Sequence, residues 1–458
     1  MPTRPNLLFV FPDEMRQHAI GFAGQDPVIT PNLDAFATES LALTNTVSNR
    51  PVCSPYRAML LTGMYPHSNG VLTNCNSNTV SHMNYLREDD RCFTDVLCDN
   101  EYSQGYIGKW HLDPPSLQHE YTEGPREDGI VWDSFTTPER RHGIDFWYSY
   151  GCCDKHFDPH YWRTGATIEE RIDPGEWSVK HETDVAIDYI RNPGARNRDP
   201  DKPFSLIISH NPPHMPFEQV PRKYVDQYGQ ASSESLLTRP NVDLDGEHGG
   251  DVAREHGKNY FGAITGVDDQ FGRLLRCLDE EGLKEDTIVV FTSDHGEMMG
   301  SHGRYSKTIW YDESLLVPFI IRWPGHIQAG VDDLLLSTPD LMPTLLTMMG
   351  CADDIPNSVE GTDLSGAFLG SEYTRPESAL YLNVDPEYPE GGLRGVRTRR
   401  YTFVIDRDRG RPDRYVLHDN QSDPYQLENV ADERPETVRE LVQELNGWLA
   451  KTGDPWLR

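Results

Sequence analysis

No run of 18 or more apolar residues occurs in this 458-residue chain, so the sequence contains no candidate for a membrane-spanning helix. The apolar stretch near its start, Leu7 to Phe11, is too brief for the hydrophobic centre of a secretion signal. A soluble chain is expected, with its location open between the cytoplasm and a secreted or periplasmic site reached after removal of a signal. Cysteine is sparse as well. Eight thiols at positions 53, 75, 92, 98, 152, 153, 277 and 351 form neither a disulfide framework nor a zinc-binding spacing, and the adjacent Cys152 and Cys153 read as small buried thiols rather than a strained vicinal disulfide. Positive charge is the third scarcity: 42 Lys and Arg against 73 Asp and Glu give a formal charge of -31. That balance argues against nucleic acid or an anionic membrane surface as partner. It also means that a site for an anionic substrate must build a local positive field against the global one.

What is present suffices for a large core, because 37% of the side chains are hydrophobic and a chain of this length buries most of its apolar surface. Short apolar runs alternate with helical stretches, the pattern of an α/β fold with a large, mostly parallel sheet sandwiched by helices. Leu7 to Phe11, Tyr102 to Gly108, Phe204 to Ser209 and Thr287 to Thr292 read as buried strands, and each ends at polar chemistry. Asp13 and Glu14 follow the first, Lys109 and His111 the second, His210 and His214 the third, Asp294 and His295 the fourth. Ligand groups of open α/β sheets gather beyond the carboxyl ends of strands, so four such endings point to one crevice. Tyr260, Ile264, Val267, Phe271, Leu274 and Leu278 recur at helical spacing ahead of a capping Gly282 and read as core packing, while Gln230 to Gly250 reads as a polar loop. From about residue 366 the pattern changes to antiparallel strands at Leu380–Val384, Gly395–Ile405 and Tyr415–His418, closed by an amphipathic helix over Arg434–Lys451. The expected organisation is a catalytic domain over 1–365 and a smaller α+β domain, with its own antiparallel sheet and helix, over 366–458.

The sharpest motif is Cys53-Ser54-Pro55-Tyr56-Arg57, followed by Thr62-Gly63. Pro55 suits the first turn of a helix and Gly63 its end, which puts Cys53 at a helix N-terminus, where free N–H groups and the dipole attract anions. A structural cysteine preceding a helix would show the same local pattern. Here, however, the sequence resembles the sulfatase family of the alkaline phosphatase superfamily, whose signature Cys-x-Pro-x-Arg with a downstream Thr-Gly is matched by Cys53, Pro55, Arg57, Thr62 and Gly63. The resemblance extends along most of the chain through Gly108 to Leu112, Pro213 to Phe217, Ser293 to Gly296, Val317-Pro318 with Pro324-Gly325, Asp340 to Thr344 and Asp423 to Asn429. It departs from the family's usual residues at Glu14, at His295, where many members have Asn, and at Asp113.

The resemblance implies a metal-dependent hydrolysis of sulfate esters. In the family the cysteine is oxidised to formylglycine by a maturation enzyme. One hydroxyl of the hydrated aldehyde attacks sulfur and the other later expels sulfate, which makes Cys53 the precursor of a covalent catalyst. Arg57 would orient that group, Lys109 and Lys307 would hold sulfate oxygens, His111 would accept the hydroxyl proton and His214 would protonate the leaving oxygen. One divalent cation, calcium first and magnesium or manganese otherwise, would be held by Asp13, Glu14, Asp294 and His295 together with the residue derived from Cys53.

For the substrate, a sulfated and acidic carbohydrate is expected. Asn74 lies in a plausible sulfate-contact segment, with a turn role as its alternative. Eight arginines crowd the stretch from Gly391 to Tyr415; Arg394 and Arg397 are assigned to an acidic neighbour of the scissile sulfate, against the plainer reading of a solvated charged face. The aromatic group Phe146 to Tyr150, with His156, Tyr161 and Trp162, reads either as core packing or as a partly exposed sugar-stacking wall. Two further functions compete: a phosphodiesterase or phosphonate monoester hydrolase of the same superfamily, and a non-catalytic binder of sulfated glycans. A pure binder would need neither a nucleophile nor a general acid.

Overall fold

Residues 4–457 are described by a computed structural model; Met1 to Thr3 and Arg458, the ends of the two expected domains, lie outside the described residues. Nine strands form the main sheet: β1 (Asn6–Pro12), β2 (Leu41–Val47), β3 (Ser103–Lys109), β4 (Phe146–Tyr150), β5 (Trp162–Arg163), β6 (Phe204–His210), β7 (Thr287–Phe291), β8 (Phe319–Arg322) and β9 (Gly330–Ser337). Their order is β5-β4-β3-β6-β1-β7-β8-β2-β9. The run from β4 to β7 is parallel throughout, and β5 and β8 join it antiparallel. The expected mostly parallel sheet is therefore the sheet observed.

Burial on both faces explains the unbroken apolar runs. Leu8 and Val10 of β1 enter one core with the helices Ser178–Arg191 and Gly250–Glu280, whereas Leu7, Phe9 and Phe11 enter another with the helices Cys53–Thr62 and Leu341–Met348. A strand with helices over both sides has no solvent face, so hydrophobic residues occupy both parities. The helix expected around Tyr260–Leu278 runs over 31 residues, and the expected polar loop before it contains one short helix, Ser233–Leu236.

A second sheet has the order β10 (Ser378–Asp385), β11 (Tyr388–Thr398), β12 (Tyr401–Arg407), β13 (Arg414–Asp419), all antiparallel. One face carries Leu380, Leu382, Phe403 and Leu417 onto Leu441, Leu445 and Leu449 of the helix Pro435–Lys451. The other carries Ala379, Tyr381, Val404 and Val416 onto Val47, Leu315 and Leu335 of the large body. The Gly395–Ile405 stretch, expected as one strand, is a hairpin whose turn holds Arg399 and Arg400. The short helix Ser365–Leu369 belongs to the large body, since Phe368 packs in its core. All eight cysteines are free thiols, Cys152 and Cys153 among the buried ones. Among the described residues no helix is long and apolar enough to cross a membrane.

Candidate active site

Strands β3, β6, β1 and β7 are neighbours in the sheet, and their carboxyl ends deliver Lys109, Asn211, Asp13 and Asp294 to one level, fixed by a register that pairs Pro12 with His210 and Val10 with Phe291. Gly108 permits this convergence. Its φ is +98°, and a Cβ there would stand 2.1 Å from the Ser209 carbonyl oxygen, so only glycine lets β3 approach β6 so closely just before Lys109. Two non-glycine residues, Glu14 (φ 70°) and His111 (φ 54°), are held in the left-handed region beside the same centre, strain of the kind that clusters at functional sites.

The helix Cys53–Thr62 begins at this level after β2 and ends at Gly63, which is left-handed (φ 63°) and donates its N–H to the Met59 carbonyl. No side chain of the N-cap residue Val52 closes its first turn; instead the Ser54 N–H donates to Asn74 Oδ1 at 3.1 Å. Cys53 is 1% exposed. Its Sγ lies 3.3 Å from His295 Nε2, 3.4 Å from Lys307 Nζ, 3.6 Å from Asp13 Oδ1 and 4.0 Å from Lys109 Nζ. Burial alone would raise the thiol pKa, but Lys109, Lys307 and His295 outweigh it and hold Cys53 well below the ordinary thiol range.

Arg57, one turn on, bridges the two central carboxylates, with Nη2 at 3.1 Å from Asp13 and 3.2 Å from Asp294, while Nη1 donates to the Lys109 carbonyl and Ser209 Oγ. Lys109 Nζ sits 2.7 Å from Asp13 Oδ2 and 3.1 Å from Asn211 Oδ1. Asp13, Cys53, Asp294 and His295 offer donor atoms all within 4.8 Å of one another, and Asp13, Glu14 and His214 do the same. Burial and the neighbouring Asp13 charge push Asp294 up to about 6. Buried Glu14 Oε2 has no aligned hydrogen bond, although His214 Nε2 is 3.3 Å away. Adjacent buried carboxylates and an orphan carboxylate oxygen fit a hard divalent cation.

The two histidines expected to move protons lie on different walls. His111 Nε2 faces the Cys75 carbonyl at 3.1 Å and its buried Nδ1 has no partner; burial lowers its pKa. For His214, burial and Lys307 act downward, but Glu14 and Asp154 prevail and raise it. A histidine biased neutral and another biased protonated suit a base and an acid.

Every expected catalytic and metal-binding residue thus comes to this centre, and Asn74 touches its helix. Arg394 and Arg397 do not come, and their expected substrate role is corrected. Arg394 is fully buried on Asp454 (2.6 Å) and on the Pro389 and Gly391 carbonyls; Arg397 is held by Asp312 (2.6 Å) and Thr402. The donors of Arg394 and the two Nη groups of Arg397 are engaged inside the protein, and Arg397 Nε is buried without an acceptor. Arg397 also lines a cavity of about 490 Å³ that none of Cys53, Lys109 or His214 lines. The sugar-wall reading of the aromatic group fails likewise, since Trp147, Tyr150, Tyr161 and Trp162 are at most 2% exposed and pack on one another and on the core. His210, left outside the expected site, pairs with buried Glu182 while its carbonyl accepts from the Asp13 N–H. Asn211, directly behind β6 where the strand-end rule also applies, joins the centre beyond the expected residues. Asp154 and Arg126, from irregular segments, gave no signal in spacing.

The family model described as "Sulfatase" matches residues 5–351, and "N-sulphoglucosamine sulphohydrolase, C-terminal" matches residues 300–453. The chain is 42% identical to an endo-4-O-sulfatase of Bacteroides thetaiotaomicron, over 99% of this chain and 93% of that protein. It is 36% identical to an ulvan-active sulfatase of Formosa agariphila, over 99% and 82%. A solved structure from work on glycosaminoglycan metabolism by Bacteroides thetaiotaomicron superposes with a TM-score of 0.91 at 40% identity, covering 99% of this chain and 97% of that one.

Proposed function

The chain belongs to the sulfatase family, and on that footing we propose that it removes sulfate from a sulfated, acidic carbohydrate, with Cys53 as precursor of the nucleophile. The observation that carries this reading is the surround of Cys53 Sγ: two lysines, a histidine and an aspartate within 4.0 Å at the start of a helix. The relative named for activity on ulvan and the solved structure from work on glycosaminoglycan metabolism support a sulfated carbohydrate as the substrate class. In a chain of charge -31, Arg57, Lys109 and Lys307 supply the local positive field that a sulfate ester requires.

Conversion of Cys53 by a formylglycine-generating enzyme would supply a hydrated aldehyde, with one hydroxyl to attack sulfur and a second to release sulfate. A divalent cation on Asp13, Glu14, Asp294 and His295 would supply Lewis acidity, calcium matching the three carboxylates and magnesium or manganese accommodating the imidazole. The chain's own groups do the rest. Lys109 and Lys307 hold the sulfate oxygens, and their charges grow in value as the transition state spreads charge onto those oxygens. Arg57 locks Asp13 and Asp294 in place. His214 gives its proton to the departing sugar oxygen, and His111 takes one from the hydroxyl that remains.

The test is sulfate release from sulfated oligosaccharides by protein carrying formylglycine at position 53, measured beside a phosphate diester. Preferential hydrolysis of the sulfate ester is expected. Preference for the phosphate diester would overturn the reading.

A further inference from the structure

Arg126, Trp132 and Asp154 stand beside the centre and take no part in the roles above. The Arg126 guanidinium lies over the Trp132 ring, 4.7 Å from its centroid, and Trp132 packs on His111 with ring centroids 5.9 Å apart. Arg126 Nη2 lies 2.7 Å from Asp154 Oδ2 and 3.8 Å from Cys152 Sγ. The other oxygen of Asp154 is 3.6 Å from His214 Nδ1 and 3.3 Å from Asn211 Nδ2, and Asn211 in turn receives Lys109 Nζ. One side chain therefore separates Arg126 from each of the two proton-moving histidines.

Exposure distinguishes this arginine from the others near the chemistry. The side chain of Arg126 is 36% exposed and that of Asp154 16%, against 10% for His214, 9% for Lys307 and 1% for Arg57. A guanidinium has five N–H donors in a rigid fork, and among the described residues only Nη2 of Arg126 has an acceptor. An ordinary surface ion pair would be worth little and would bind nothing. This one is stacked on Trp132, held by Asp154 Oδ2, and linked through Asp154 to His214, the proposed proton donor to the leaving sugar oxygen. Asp154 engages only Nη2 of Arg126 and turns its second oxygen to His214 and Asn211, so Nε and Nη1 of Arg126 keep donors free for a second anion.

We infer that Arg126, positioned by Asp154 and Trp132, recognises the carboxylate of an acidic sugar adjoining the sulfated unit. The inference rests on the sulfatase reading. It transfers to Arg126 the recognition that buried Arg394 and Arg397 cannot perform, through the paired hydrogen bonds that a guanidinium makes with a carboxylate.

The experiment crosses enzyme with substrate. Wild type, Arg126→Ala and Arg126→Lys, each carrying formylglycine, are assayed on a sulfated tetrasaccharide of alternating uronate and hexosamine, on the same tetrasaccharide with its uronates methyl-esterified, and on an aryl sulfate. In wild type, esterification should lower kcat/KM about ten- to hundredfold, the range for a charged hydrogen bond, mostly through KM. In Arg126→Ala the acid-to-ester ratio should fall close to one, with Arg126→Lys between the two. The ratio is internal to each protein, so a general loss of folding or turnover cancels from it. A wild type indifferent to esterification, or an Arg126→Ala that keeps the wild-type ratio, overturns the inference. Failure of every sulfate ester, the aryl sulfate included, would instead remove the sulfatase reading beneath it.

Discussion

Single side chains decide the chemistry, and Cys53 is the first of them. Cys53→Ser keeps the size and position of the side chain but supplies neither a thiol nor an aldehyde, so its turnover should drop by more than a thousandfold while a sulfated oligosaccharide still binds in equilibrium titration. Near-normal turnover would refute the role of Cys53. His214 can be tested through the leaving group. A sugar alkoxide needs a proton far more than a nitrophenolate does, so His214→Ala should lose on the order of 10²- to 10⁴-fold in kcat on a carbohydrate sulfate and much less on nitrophenyl sulfate. Equal losses on the two substrates would contradict its role as proton donor. At this scale much was legible in the sequence, because Asp13, Lys109, His111, Asp294 and His295 announce themselves as polar residues directly behind apolar strands. Arg394 and Arg397 misled because sequence shows charge but not its partner. Asp454, 60 residues beyond Arg394, gives no local sign that it closes that ion pair.

Elements hold these groups at their level, and two positions test that. A methyl group at position 108 would collide with the Ser209 carbonyl and would also have to adopt a positive φ, so Gly108→Ala should destabilise the protein by several degrees in Tm and displace Lys109, lowering kcat even at temperatures where the fold is intact. Wild-type kcat and Tm would show that β3 and β6 need no such approach. In the smaller sheet, Arg394 of β11 is clasped to Asp454 beyond the last long helix. Burial acts to raise the Asp454 pKa, but His67 and Arg394 prevail and bring it to about 2. Because the folded value lies below the unfolded one, near 4, the pair contributes stability above about pH 4 and loses it as pH falls toward 2. Asp454→Asn, which leaves Arg394 buried without its counter-charge, should cost about 3 kcal/mol at neutral pH, and the stabilities of variant and wild type should draw together from about pH 4 downward and meet only below about pH 2. A constant difference across that range would count against the linkage. The antiparallel strands were visible as alternating residues, but the Gly395–Ile405 hairpin was not, since Thr398-Arg399-Arg400-Tyr401 contains neither Gly nor Pro to mark its turn.

For the whole molecule, the large body, against which the smaller sheet packs, holds a centre whose three buried carboxylates call for a cation. Exhaustive chelation should therefore abolish turnover and lower Tm, and calcium at a hundred times its dissociation constant should restore about 3 kcal/mol of stability. Unchanged Tm and activity after verified metal removal would contradict the proposed ligand set. The order of sheet and helix was readable from the alternation of apolar runs; the docking of the second sheet was not, because it depends on Tyr381 and Val404 meeting Val47 and Leu335 from far along the chain. The central claim, a sulfatase whose nucleophile is made from Cys53, is tested most directly by measuring, across preparations matured to different extents, the rate of sulfate release from a sulfated oligosaccharide against the fraction of Cys53 converted to formylglycine, read by mass spectrometry of its peptide. The account predicts a straight line through the origin; full activity in a preparation whose Cys53 is entirely thiol would contradict it.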